Sequence, residues 1–375
     1  MATDRHYFPG NNTPQGFFSY YDQILGQREA KRIICLKGGP GTGKSTLIRT
    51  VGETFLELGE DVDFLHCSAD ESSLDGVVLH GKKVAVIDGT APHIIDPKSP
   101  GAVDRIINLG EHWNEDGIKD KKGEIIDLSE ESSGWYKVCY NYLNAAKSVY
   151  RSLESIYHDA IESSELYQVV ANIIGEEYEG YDISIRPGKL RKLFASAITA
   201  SGTIHYLESL LSGFPGREEP WKRIYLINTP IGYGNRSFLS IITEGAIYRG
   251  LDVEAYYCAM CPEDKIEHLL IPELGIGFVT VNSYHDLDPW ELQLENTELL
   301  LIDAGDYMDS GYLERIGKVI LALEEDYHRL IQKGIFYLEK AKKIHKQVEE
   351  RYIPHMNFGE LNILTERMIE EIKAL

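Results

Sequence analysis

The chain is written twice, and that limits the folds open to it more than any single motif. Lys31-Arg32-Ile33 returns as Lys222-Arg223-Ile224. The same offset pairs Gly41 with Gly232, Gly43 with Gly234, Glu53 with Glu244, Asp61-Val62 with Asp252-Val253 and Cys67 with Cys258. After one inserted residue, His93 and Asp96-Pro97 match His285 and Asp288-Pro289; further on, Ala146-Lys147 matches Ala341-Lys342. Even the lead-in recurs, with Arg5, Phe8, Thr13, Gly16, Tyr20 and Leu25 answered by Arg191, Phe194, Thr199, Gly202, Tyr206 and Leu211. A period near half of 375 residues signals a duplicated domain rather than a solenoid. The expected units are 1–185 and 186–375, with the border around Arg186-Pro187-Gly188.

The chemistry lies in the first copy. Gly38-Gly39-Pro40-Gly41-Thr42-Gly43-Lys44-Ser45-Thr46 fits the phosphate-cradling pattern G-x-x-x-x-G-K-[ST]. Several backbone N–H groups must converge on a triphosphate, and a glycine-rich loop lets the backbone approach and turn that sharply. The following helix presents its positive dipole end to the same anion. Lys44 is expected on the β- and γ-phosphates and the Ser45 hydroxyl on Mg²⁺. The flanks suit this: Arg32 to Leu36 reads as a buried strand, and Leu47, Ile48, Val51, Phe55 and Leu58 keep helical spacing. Val84 to Asp88, an apolar strand ending in a carboxylate, supplies the acid that orients Mg²⁺.

The second copy acts as an internal control. Asn235 replaces Lys44, Arg236 replaces Ser45, Thr229 replaces Gly38, and the strand matching Val84–Asp88 ends in Thr280. Losing the phosphate, metal and carboxylate positions together marks 186–375 as a degenerate pseudo-domain. Asp70 and Glu71 vanish too, their places taken by Cys261 and Pro262. One of them is therefore expected to position water or a substrate hydroxyl, with Asp75 in reserve. The comparison demotes other candidates. His93 persists as His285 where the nucleotide machinery is gone, and Asp96-Pro97 reads as a helix start instead. Asp303, after an apolar run, aligns with Asn108 and reads as structural.

The remaining signals narrow the class. Five scattered cysteines make a disulfide framework improbable and suggest a reducing compartment, the cytoplasm. Cys258-x-x-Cys261 with His268 or His285 is a weak Zn²⁺ pattern. A formal charge of −21 opposes broad nucleic-acid binding. No apolar run is long enough to span a membrane. Helical periodicity from Tyr136 and from Tyr337 predicts a long helical hairpin at the end of each copy. The expected fold class is α/β: two tandem P-loop NTPase-like domains, each a parallel sheet with flanking helices and a hairpin extension.

Arg5-His6-Tyr7-Phe8-Pro9-Gly10, the Lys37–Thr46 loop, His66-Cys67-Ser68, Leu74-Asp75-Gly76-Val77 and Asp88-Gly89-Thr90-Ala91-Pro92-His93 together resemble a poorly characterised bacterial family. Its members are duplicated P-loop proteins labelled predicted ATPases, common among spore-forming Firmicutes. The resemblance spans the whole chain and implies ATP and Mg²⁺ without naming a substrate. In that family the second copy often keeps its own loop, and Thr229 to Ser237 departs from this. Three function classes follow. The first is an ATPase acting on a protein partner. The second is a kinase with a small-molecule acceptor, kept open because Gly89 rather than a Glu follows Asp88. The third is a nucleotide-gated binding protein without turnover. Arg217, Arg223 or Arg236 is a candidate arginine finger between the halves.

Overall fold

The computed structural model describes residues 2–92, 95–161, 163–233, 236–287, 292, 294 and 296–375, and of Ser163, Arg236 and Ser237 the backbone alone. Strand β1 (Asp4–Tyr7) leads into a hairpin of β2 (Gly10–Thr13) and β3 (Gly16–Ser19). There follow β4 (Arg32–Lys37), α1 (Lys44–Glu57), β5 (Val62–His66), β6 (Leu74–Leu79), β7 (Val84–Asp88), β8 (Asp104–Asn108) and α2 (Glu115–Lys119). Two helices close the first half, α3 (Lys122–Ala160) and α4 (Ser163–Glu177). The second half repeats the plan with β9 (Leu190–Leu193), β10 (Ser196–Thr199), β11 (Gly202–His205), α5 (Leu207–Ser212), β12 (Arg223–Asn228) and α6 (Arg236–Tyr248). It continues through β13 (Val253–Cys258), β14 (Cys261–Ile271), β15 (Ile276–Val281), β16 (Glu298–Asp303), α7 (Ser310–Tyr352) and α8 (Phe358–Lys373).

Each half builds a six-stranded sheet, in the orders β1-β5-β6-β7-β4-β8 and β9-β13-β14-β15-β12-β16. The sheets match strand for strand, consistent with an internal duplication. The expected parallel sheet needs correction: both sheets are mixed, because β6 and β14 run antiparallel to both neighbours. The reason is loop length. Cys67–Ser73 joins β5 to β6 and His80–Lys83 joins β6 to β7. Such connections make hairpins, whereas a parallel crossover needs a dozen or more residues. The Asp96-Pro97 helix start is also absent: 95–99 is irregular and turns directly into β8. Its counterpart Asp288-Pro289 lies outside the described residues.

The expected helical hairpins are replaced by an exchange of arms. α3 packs along α7, burying Cys139, Leu143, Ala146 and Tyr150 against Tyr327, Ile331 and Leu338. Gly334 makes this contact close, since a Cβ there would stand 2.9 Å from Leu143 Cδ2. Beyond the pair, each arm ends on the other half. Val170 and Ile173 of α4 join Phe238, Leu239 and Ile242 of α6 in one core. Leu361, Met368, Ile369 and Ile372 of α8 join Leu47, Ile48, Val51 and Phe55 of α1 in another. Burying each such side chain stabilises the fold by about 1.5–3 kcal/mol, so the amphipathic arms settle where the largest apolar faces lie open.

A pseudo-two-fold axis passes between the halves. Phe8 and Phe194 exchange backbone hydrogen bonds of 2.9 and 3.1 Å. Nearby, the repeat-related pairs Arg5/Arg191 and Asp63/Glu254 form one quartet, buried except for a partly exposed Arg191. Arg5, fully buried, forks onto Asp63 with two 2.9 Å bonds and onto Glu254 with bonds of 2.9 and 3.3 Å.

Candidate functional site

The loop between β4 and α1 lies at the end of a strand that runs between β7 and β8 and whose Ile33 to Leu36 are buried. Gly41 at φ +70° and Gly43 at φ +82° adopt the left-handed backbone that glycine tolerates without strain. Gly43 is also the N-cap of α1 and offers no side chain to its first turn. The N–H groups there consequently keep their capacity for an outside acceptor. Lys44 folds back over the loop, donating to the carbonyls of Gly38 at 2.8 Å and Gly39 at 2.9 Å. Its Nζ stands 3.7 Å from Asp88 Oδ2, and both side chains are 13% exposed. Thr42 Oγ1 donates to Gly39 O at 2.9 Å, which braces the turn. Pro40 is half-buried in the loop, and Thr46 stays exposed on the helix.

The carboxylate is held as firmly. Asp88 Oδ1 accepts from Thr90 N at 2.8 Å, and Thr90 Oγ1 donates to Gly38 O at 2.9 Å. The end of β7 is thereby locked to the loop. Ser45 Oγ accepts from Leu74 N at 2.8 Å, which orients the hydroxyl and leaves it a second lone pair.

Asp70 and Glu71 both reach the second half. Asp70 pairs with Lys342 of α7 at 3.0 Å, and Glu71 lies 4.0 Å from the same ammonium while also accepting from Ser201. Partial burial pushes the Asp70 carboxyl up, but hydrogen bonds from Ser72 and Lys342 outweigh it and hold the group below its ordinary range. Asp70 is thus a firmly charged orienting group and a weak proton acceptor. Asp75 is buried in β6, where Tyr21 OH donates to it at 2.6 Å. His93 lies outside the described residues, as do Gly234 and Asn235.

Sequence reasoning missed what α7 and α8 bring to the loop. A Cβ on Gly41 would stand 2.9 Å from Ile353 Cγ1 and 3.0 Å from the Glu349 carbonyl; one on Gly43 would meet Leu361 at 2.8 Å. Trp113 and Tyr352 meet at a tilt beside Gly39, their ring centroids 5.4 Å apart. Lys44 and Asp70 lie within electrostatic reach of His345. The only signal in the sequence was the repeat itself, which pairs Lys342 with Lys147 but does not say which half each arm serves.

The arginines expected at the loop are elsewhere. Arg217 donates to the carbonyls of Pro272 and Pro220. Arg223 binds Glu177 and Glu298. The Arg236 side chain is outside the description. Asp303 has the structural role expected of it: it accepts from Gly305 N at 2.8 Å and Asn228 Nδ2 at 2.9 Å, as Asn108 accepts from Gly110 N at 3.0 Å.

The degenerate half has been refilled. Lys265, buried, donates to the Tyr233 carbonyl at 3.0 Å and to Tyr150 OH from α3. A cavity of about 50 Å³ beside it is lined by Ser196, Glu267, His285 and Tyr284 among others. Glu267, His268 and His285 bring ligand-type atoms within 4.8 Å of one another. This trio does not fit a cation. The Thr280 N–H donates to His268 Nδ1 at 3.2 Å, so in the neutral ring the proton sits on Nε2 and no lone pair remains for a metal. The ammonium of Lys265 lines the same cavity and opposes a second cation. Cys258 and Cys261 face each other across β13 and β14 as buried cysteines that form no disulfide, outside that trio.

No protein-family model, curated protein or solved structure matches the chain. Among the described residues, no helix is long and apolar enough to cross a membrane.

Proposed function

We propose that the first half binds Mg-ATP on the Gly38–Thr46 loop and hydrolyses it, as a P-loop ATPase whose degenerate second half serves as a regulatory platform. One observation carries this reading. Lys44, folded onto the Gly38 and Gly39 carbonyls and 3.7 Å from Asp88, sits beside a helix N-terminus that no side chain caps. An ammonium, a cluster of free N–H donors and a carboxylate in that order match what a metal–triphosphate requires.

In this account the loop N–H groups and Lys44 hold the β- and γ-phosphates. Ser45 Oγ and Asp88 would hold Mg²⁺, which neutralises phosphate charge when bound; the spare lone pairs of Ser45 and Asp88 suit it. Asp70 and Glu71 orient the attacking water. Its oxygen bonds to the γ-phosphorus as the bridging O–P bond to ADP breaks, and its proton leaves with the phosphate. Ile353, Glu349 and Tyr352 press on the loop, so nucleotide occupancy is coupled to the position of the arms. A protein partner that reads the arms completes the cycle. The cytoplasm is the proposed setting, where ATP is supplied and the five cysteines, none in a disulfide, stay reduced.

A small-molecule kinase is the second reading. It is favoured by Gly89-Thr90 after Asp88, where Thr90 is engaged with Gly38 and the position next to the carboxylate has no acid. Counting ADP and free phosphate separately, for wild type and Lys44→Ala with Mg-ATP alone, decides between them. Equal release that the variant lacks is expected. Binding without release until an acceptor is added would replace the ATPase reading with the kinase. A nucleotide-gated switch would bind tightly and release nothing under any addition.

A further inference from the structure

We propose that Lys342, carried by the arm of the degenerate half, is the trans-acting cation of the loop site. When nucleotide binds, it exchanges its ion pairs with Asp70 and Glu71 for the γ-phosphate. The inference rests on the nucleotide reading of the loop and adds to it a residue that no motif marks.

The repeat provides the argument. Lys342 of α7 has a counterpart, Lys147 of α3, at the same place in the duplicated arm. The arms cross, so Lys342 serves the intact half and Lys147 the degenerate one. Opposite Lys342 stand Asp70 at 3.0 Å and Glu71 at 4.0 Å. The positions matching these acids in the degenerate half are Cys261 and Pro262. The lysine is therefore present in both arms, while the acids at the Asp70 and Glu71 positions are kept only where Lys44 and Asp88 are also kept.

The pair is built to exchange. Ala341 and Val348 are buried on the same helix and fix its backbone, whereas the side chains of Lys342 and Asp70 are 34% and 38% exposed. An ion pair with that much access to water is weak, and a multiply charged phosphate outcompetes a single carboxylate for the ammonium. The exchange does two things at once. It adds a positive charge where negative charge develops on the γ-phosphoryl oxygens, as an arginine finger does. It also releases Asp70 and Glu71 from the ammonium, so that they can accept from a water.

The test uses the full chain, with Mg-ATP and Mg-ADP affinities and kcat measured for wild type, Lys342→Ala, Lys342→Arg and Lys147→Ala. A γ-phosphate contact predicts that Lys342→Ala lowers the preference for ATP over ADP at least tenfold and lowers kcat at least as much, with ADP affinity within about threefold of wild type. Lys342→Arg should restore most of both, and Lys147→Ala should match wild type. A Lys342→Ala protein with wild-type discrimination and kcat overturns the proposal while leaving the loop reading intact. Equal losses in Lys342→Ala and Lys147→Ala also overturn it, since they would report loosened arms. Wild-type protein with no Lys44-dependent binding removes the loop reading itself, and this inference with it.

Discussion

Replacing Arg5 with alanine should strongly weaken the junction between the two halves. Arg5 is 0% exposed and donates four hydrogen bonds, two to Asp63 and two to Glu254. Arg191 also reaches both carboxylates, so the quartet is neutral as it stands. Removing one guanidinium leaves two buried carboxylates facing one guanidinium, with the His80 imidazole 3.0 Å from Asp63. Breaking a buried pair in this way costs about 3–5 kcal/mol, chiefly through the uncompensated charge. At a urea slope of about 3 kcal/mol/M, the unfolding midpoint should fall by roughly 1 M or more. Arg5→Lys keeps the charge but loses the fork, and should fall in between. The acid limb gives a second signature. Burial pushes both carboxyls up, but Arg5, then His80 and Arg191, outweigh it at Asp63, and Arg5 and Arg191 outweigh it at Glu254, so both end below their ordinary range. Groups with depressed values contribute stability fully above the unfolded carboxyl pKa of about 4, and lose it as pH falls through the lower folded values. Arg5→Ala should flatten that loss. Urea titrations followed by fluorescence and far-UV circular dichroism, repeated from pH 7 to pH 3, measure both. A variant within about 1 kcal/mol of wild type at pH 7, with an unchanged acid limb, would refute the reasoning and assign the interface to apolar packing alone.

Other outcomes follow from single contacts. Burial, then the charges of His6 and Arg49, pulls His66 down to about 4, so its neutral form is favoured in the fold. Stability from this group is present above about pH 6.5 and is lost as pH falls toward 4; the urea midpoint should drop across that window, and less so in His66→Gln. Gly41→Ala forces φ +70° on a side chain that meets Ile353 and the Glu349 carbonyl, and should cost about 1–2 kcal/mol while weakening nucleotide binding. Asp303→Ala removes two hydrogen bonds far from the loop, and should cost about 1 kcal/mol without changing Mg-ATP affinity.

What the sequence disclosed and what it hid divide along a physical line. Val84 to Asp88 and Arg32 to Leu36 were legible as strands because local runs of β-branched and apolar residues carry that signal. The pairing of Asp88 with Lys44 was legible because their counterparts were lost together. The antiparallel β6 was missed because Leu74–Leu79 holds an Asp and a Gly that break the strand pattern, and only loop length reveals its direction. The arm exchange was invisible for a different reason. Helical periodicity shows that a face is apolar, but not which of two similar sheets it covers. Tyr352 reaches the loop and Lys342 reaches Asp70 and Glu71 from the far end of the chain, and no local pattern links either to the first half.

The central claim is that one half of this duplicated chain holds nucleotide and the other does not. Calorimetric titration of the full chain with Mg-ATP, beside Lys44→Ala, tests it most directly. One nucleotide should bind per chain, and none in the variant. Two nucleotides per chain, undiminished binding in Lys44→Ala, or no binding by the wild-type protein would contradict it.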